Sequence, residues 1–134
     1  MEFGKIGFIG AGNMAGAIIN GVLSSNICSA EKISVYDISE EKCRSFQEKG
    51  CIAESSSKEL VAKCDIIFLA IKPQNFSSVL EEIRPAVTGK QTFVSIAAGI
   101  SIGYIEARLD CECPVILVMP NTPLLLGKGA SALC

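Results

Sequence analysis

Lys5-Ile6-Gly7-Phe8-Ile9-Gly10-Ala11-Gly12-Asn13-Met14-Ala15-Gly16-Ala17-Ile18-Ile19-Asn20-Gly21-Val22 decides the fold. Ile6 and Phe8 alternate with Gly7 and Ile9 in a short buried-strand pattern, and a glycine turn follows. Beyond the turn, Met14, Ala17, Ile18, Gly21 and Val22 recur at helical spacing and predict one apolar face. Gly10, Gly12 and Ala15 stand at the G-x-G-x-x-G/A spacing of a dinucleotide fingerprint. Gly10 permits a tight turn, Gly12 lets the backbone approach a pyrophosphate, and Ala15 lets the helix pack closely on its strand. The amides that open such a helix have no partner within it, and the helix dipole favours an anion there.

The strand–helix alternation continues outward from this stretch. Ile33–Asp37 reads as a second strand, and Ser39-Glu40-Glu41 as a helix start with an N-cap and acids in the first turn. A short strand near Cys51–Ala53 precedes a brief helix opening at Ser57-Lys58-Glu59. Asp65–Ile71 is apolar on both faces, as a central parallel strand should be. Phe76, Val79, Leu80 and Ile83 then mark a helix, Thr92–Ile96 a strand, and Ser101 caps a helix carrying Ile102, Ile105 and Leu109. Val115–Met119 is the last strand of the series. Residues 1–134 are therefore expected to form one α/β domain, a Rossmann-type, doubly wound, mainly parallel sheet. Ligands of such sheets bind outside the carboxyl ends of the strands.

Composition narrows the function classes. With 49% hydrophobic residues, the chain is expected to be a packed globule rather than disordered. A net charge of -2 without a basic cluster argues against nucleic acid as a partner. Ile6–Leu23 carries no charge, and Gly12-x-x-x-Gly16 resembles a membrane helix-packing motif. Its glycines, Asn13 and Asn20 lower its hydrophobicity, Glu2 offsets Lys5, and no clear cleavage site follows, so neither a span nor a signal peptide is expected. Seven cysteines without a C-x-x-C pair, in a chain with no histidine, leave the common zinc patterns unfilled. The cysteines read as reduced core thiols of a cytoplasmic protein, with no metal site. The lack of histidine removes the usual general acid–base group and leaves catalytic residues unassigned.

Several residues fall where the ligand should sit. Asp37 lies 25 positions after Gly12, where a carboxylate can accept hydrogen bonds from an adenosine ribose. Its charge opposes a 2′-phosphate and slightly favours NADH over NADPH, although Lys42 and Arg44 follow within two helical turns. Lys72, in Ala70-Ile71-Lys72-Pro73-Gln74, can attract an anion or point into water, and the residues alone do not choose. Ala97-Ala98-Gly99 suits either the close approach of a flat ring or an ordinary tight turn. Met119-Pro120-Asn121-Thr122-Pro123 is a stiffened loop presenting an amide and a hydroxyl at the same sheet edge.

Taken in order, Gly7–Ala15, Ala70–Gln74, Ala97–Gly99 and Met119–Pro123 resemble the pyrroline-5-carboxylate reductase family, over essentially the whole chain. The resemblance implies NAD(P)H as cofactor and hydride transfer to the C=N carbon of a small cyclic imine carboxylate, yielding proline. It places Ile9, Gly10, Ala11, Gly12, Asn13 and Met14 around the pyrophosphate, Asp37 near the ribose, and Ala70, Ile71, Lys72 and Pro73 along the cofactor. Ala97, Ala98, Gly99 and Asn121 would lie near the nicotinamide. Ser57 aligns with a position where some members carry a cofactor-contacting Asn. The family continues into a helical domain that forms a homo-oligomer, completes the substrate pocket and supplies a hydroxyl to help protonate the ring nitrogen. This chain is expected to lack that domain and to be weakly active or inactive alone. Two other readings are a non-catalytic dinucleotide-binding regulatory module and a related imine or deazaflavin-linked reductase.

Overall fold

The computed structural model describes residues 4–97, 99–110, 113–119 and 132–133. In chain order it forms β1 (Ile6–Ile9), α1 (Asn13–Ser24), β2 (Ile33–Tyr36), α2 (Glu40–Gln47), β3 (Ile52–Ala53) and α3 (Ser57–Lys63). It continues with β4 (Ile66–Leu69), α4 (Phe76–Ile83), β5 (Thr92–Ser95), α5 (Ile102–Leu109), β6 (Val115–Met119) and β7 (Ala132–Leu133). The sheet order is β3-β2-β1-β4-β5-β6-β7. Every pairing from β3 to β6 is parallel, and β7 joins β6 antiparallel. This is the expected doubly wound sheet. The chain builds outward from β1 to β3, then crosses to β4 on the other side of β1, which puts the topological switch point between β1 and β4.

The period of two along the strands divides the core between the two faces. Ile6 and Phe8 pack with Ile33, Val35, Ala15, Ile19 and Phe46 beneath α1 and α2. Phe8 stacks on its register partner Phe68, with ring centroids 4.6 Å apart. Ile9, Ile67 and Leu69 pack on the other face with Leu60, Phe76, Leu80, Ile105 and Leu109, from α3, α4 and α5. Cys43, Cys51, Cys64 and Cys113 are buried in these clusters, as small apolar residues would be. Burial pushes the Cys64 thiol up to about 11 and the Cys43 and Cys51 thiols in the same direction. No helix among the described residues is long and apolar enough to cross a membrane.

Two details depart from the sequence expectation. The buried stripe of α1 runs through Ala15 and Ile19, while Met14, Ala17, Ile18 and Val22 of the expected face are half-buried and Gly21 is exposed, so the helix is rotated toward Ala15 and Ile19. The segment carries no charge to mark a solvent side, and packing on the sheet sets its rotation. Strand β7 was not expected. It is two residues long and is defined by pairing with Val118 and Met119, which no local pattern encodes.

At the opposite end of the sheet from the switch-point turns, Gln91 fastens the approach to β5. Its Oε1 accepts from the Thr88 amide (2.9 Å) and hydroxyl (3.2 Å), while Nε2 donates to the carbonyls of Val61 (3.3 Å) and Ala86 (3.1 Å). Gln91→Ala strands these groups in a buried place and should lower the unfolding free energy by about 2 kcal/mol. Urea denaturation followed by circular dichroism measures this, and a loss under about 0.5 kcal/mol would contradict it.

Candidate functional site

The glycine turn is built by satisfying some backbone donors and leaving others open. Gly10 has φ +106° and donates its N–H to the Tyr36 carbonyl at 2.7 Å. The next amide, Ala11, donates to Asp37 Oδ2 at 2.9 Å. Gly12 is the N-cap of α1, with no side chain accepting from the first-turn amides and no acid in that turn. Asn75 at the start of α4 likewise makes no side-chain cap, whereas the serine caps of the other three α-helices do. Ser39, Ser56 and Ser101 each accept an amide N–H at the start of α2, α3 and α5. The α1 amides therefore end the turn facing outward with the positive end of the helix dipole behind them.

They face a cleft of about 680 Å³ at the carboxyl ends of β1, β2, β4 and β5. Ile9, Gly10, Gly12, Asn13 and Met14 form one wall, and Tyr36, Asp37, Ile38 and Lys42 extend it beyond β2. Ala70, Ile71, Lys72 and Pro73 form the opposite rim, followed by Asn75, Ser78, Val79 and Glu82 along α4. Ile96, Ala97 and the buried Ser57 complete it. A Cβ built on Gly12 meets no atom within 4 Å, so nothing inside the fold demands glycine there. A cradle of open amides beside a residue without a side chain fits a pyrophosphate. Lys72 and Lys42 add positive charge, and Asp37 and Glu82 negative charge, along the same cleft.

A family model described as "NADP oxidoreductase coenzyme F420-dependent" matches residues 5–99, which contain the turn, Asp37 and the Ala70–Pro73 rim. The pyrroline-5-carboxylate reductase of Pseudomonas aeruginosa is 38% identical over 133 residues, covering 99% of this chain and 49% of that protein. A solved pyrroline-5-carboxylate reductase from Coxiella burnetii superposes with a TM-score of 0.91 at 30% identity, over 98% of this chain and 49% of that one. The chain belongs to the pyrroline-5-carboxylate reductase family. A Plasmodium falciparum pyrroline carboxylate reductase, solved with NADP bound, aligns at 36% identity and a TM-score of 0.86, over 100% of this chain and 48% of that one. This family member thus spans about half the length of the relatives it matches.

The cleft gathers most of the residues singled out from the sequence of this reductase-family chain. Ile9, Gly10, Gly12, Asn13, Met14, Asp37, Ser57, Ala70, Ile71, Lys72, Pro73 and Ala97 all line it. Ala11 lies behind the wall, 5% exposed, with its N–H on Asp37. Gly99 is exposed, has φ +82°, and is not part of the lining. Ala98 and Asn121, with the rest of Pro120–Pro123, lie outside the described residues. Sequence reasoning missed Tyr36, Ile38, Ile96 and the α4 wall. The signal for the wall was present, since Asn75, Ser78, Val79 and Glu82 recur at helical spacing beside the buried Phe76, Leu80 and Ile83. Ile38, 89% exposed at the rim, is an apolar loop residue without an internal partner for its side chain in either core cluster.

Proposed function

We propose that this chain is the cofactor-holding half of a pyrroline-5-carboxylate reductase, with NADH or NADPH in the cleft. The observation that carries the reading is the uncapped α1 terminus, opening on a cleft that Asp37 and Lys72 flank. The pyrophosphate sits on the amides from Gly12 to Met14, the adenosine ribose beside Asp37, and the chain of the cofactor passes Ala70–Pro73. The nicotinamide points toward Ala97, and the family resemblance adds Ala98, Gly99 and Asn121 as its neighbours. The bound cofactor supplies a hydride, and this half of the protein supplies orientation and electrostatics. In the whole protein the hydride goes to the C=N carbon of 1-pyrroline-5-carboxylate and a proton to the ring nitrogen, giving L-proline. The substrate pocket, proton donor and homo-oligomer contacts belong to the helical half that the resemblance implies. Reduced thiols suit a cytoplasmic enzyme.

The names of the relatives support this reading, as does the NADP in the Plasmodium falciparum structure. The charge on Asp37 opposes a 2′-phosphate, with Lys42 offsetting it in part, and a preference for NADH of about fivefold is expected. Calorimetric titration of the 134-residue chain with each nucleotide measures both points. Failure of both to bind at millimolar concentration would remove the reading, and tighter binding of NADPH would reverse the preference alone. Turnover of 1-pyrroline-5-carboxylate by a chain extended with the helical half tests the reaction itself.

A further inference from the structure

We infer that Asp37 is a positioning residue for the pyrophosphate turn, holding the Ala11 amide so that the amides after it face the cleft. This rests on the reading of the cleft as a dinucleotide site and adds a role that the ribose contact does not include. A turn between β1 and α1 must find acceptors for its buried N–H groups, because an unpaired one is costly. The end of β2 supplies two in succession. The Tyr36 carbonyl takes the Gly10 N–H, and Asp37 Oδ2 takes the Ala11 N–H at 2.9 Å. Ala11 is only 5% exposed, which leaves little room for water to replace the carboxylate.

The other oxygen of Asp37 is also engaged. Oδ1 accepts from the Ser39 amide at 2.8 Å, where the chain turns into α2, and the Asp37 carbonyl accepts from the Cys43 thiol at 3.7 Å. One carboxylate thus ties the glycine turn to the start of α2, across 26 residues of sequence. Each carboxylate oxygen has a second lone pair, so the same group still serves a ribose. Turned away from β2, the Ala11 amide would pull the following peptide planes with it and misalign the donors from Gly12 onward. An amide side chain cannot take both N–H groups, since they meet different carboxylate oxygens and in Asn one of those positions becomes an NH2 donor facing an N–H donor.

Inorganic pyrophosphate, which has no ribose, separates the two roles when titrated into the wild-type chain and Asp37→Asn at constant ionic strength. If Asp37 acts only through charge and ribose contact, removing its negative charge beside an anion tightens pyrophosphate binding. The positioning role requires the opposite sign, a weakening of about tenfold, with NADH and NADPH weakened alongside. Tighter or unchanged pyrophosphate binding by Asp37→Asn overturns the inference. Amide hydrogen exchange gives a second measure on the unliganded wild-type chain. The Ala11 amide should be protected as strongly as that of Gly10, and exchange at an unprotected loop rate overturns the inference without any variant. Should the wild-type chain bind neither nucleotide, the dinucleotide reading fails, while the Ala11 exchange rate still decides whether Asp37 holds the turn.

Discussion

Gly12→Val is expected to weaken NADH binding by at least about 100-fold while leaving the unfolding free energy within about 1 kcal/mol of wild type. Neither the backbone conformation nor the space at Cβ demands glycine. Gly12 has φ -83° and ψ -165°, a conformation open to any residue, and an added Cβ points into open space. Replacing glycine at an N-cap by a β-branched residue costs on the order of 1 kcal/mol, which the lower entropy of the unfolded chain offsets in part. The open space is the cleft, and the bound pyrophosphate needs it. A branched side chain keeps phosphate oxygens out of hydrogen-bond range of the first-turn amides. Each charged hydrogen bond contributes about 1.5–3 kcal/mol, so losing two accounts for about 100-fold or more. Calorimetric titration alongside urea unfolding gives both numbers. Binding within about threefold of wild type would mean that the phosphates sit elsewhere.

The same residue illustrates what could be read before any coordinates. The fingerprint spacing, the serine caps at Ser39 and Ser101 and the apolar stripe of α4 are local signals, written within one or two helical turns. They gave the alternation of strands and helices and the glycine turn that forms one cleft wall, whereas Ser57, Ala70–Pro73 and Ala97 were marked by the family resemblance. Properties set by contact between distant segments stayed hidden. The rotation of α1 follows from its packing on the sheet, because the helix itself has no charged side. The face that α4 turns to the cleft is held from α5, where Arg108 donates to Ser77 at 3.0 Å and pairs with Glu81 at 3.6 Å. The tie from Asp37 to Ala11 joins two turns that only the β1–β2 pairing brings together. Spacing alone marked Asp37 as a ligand contact and said nothing of its backbone partners.

Gly10→Ala is expected to do the reverse of Gly12→Val, destabilising the fold by about 3–5 kcal/mol through one methyl group. Gly10 has φ +106°, which an L side chain rarely adopts, and its missing Cβ would lie against the Ala70 carbonyl. Relief by rotating φ is blocked on both sides. The Gly10 N–H is held by Tyr36, and the Ala70 N–H by the Ile9 carbonyl at 2.9 Å, so the turn is pinned between β2 and β4. Shifting it would break the hydrogen bonds that close the top of the switch point. A domain of this kind has about 5–15 kcal/mol of stability, so the variant should unfold at a clearly lower urea concentration with an unchanged slope. A loss under about 1 kcal/mol would show that the turn can relax, and the geometry at Ala70 would not be the reason for glycine. Ligand linkage then separates the two glycines. Saturating NADH raises wild-type stability by mass action, has little effect on Gly12→Val, and restores part of the stability lost in Gly10→Ala if the turn can still close on the pyrophosphate. Two glycines two residues apart thus serve different masters, one the fold and the other the ligand.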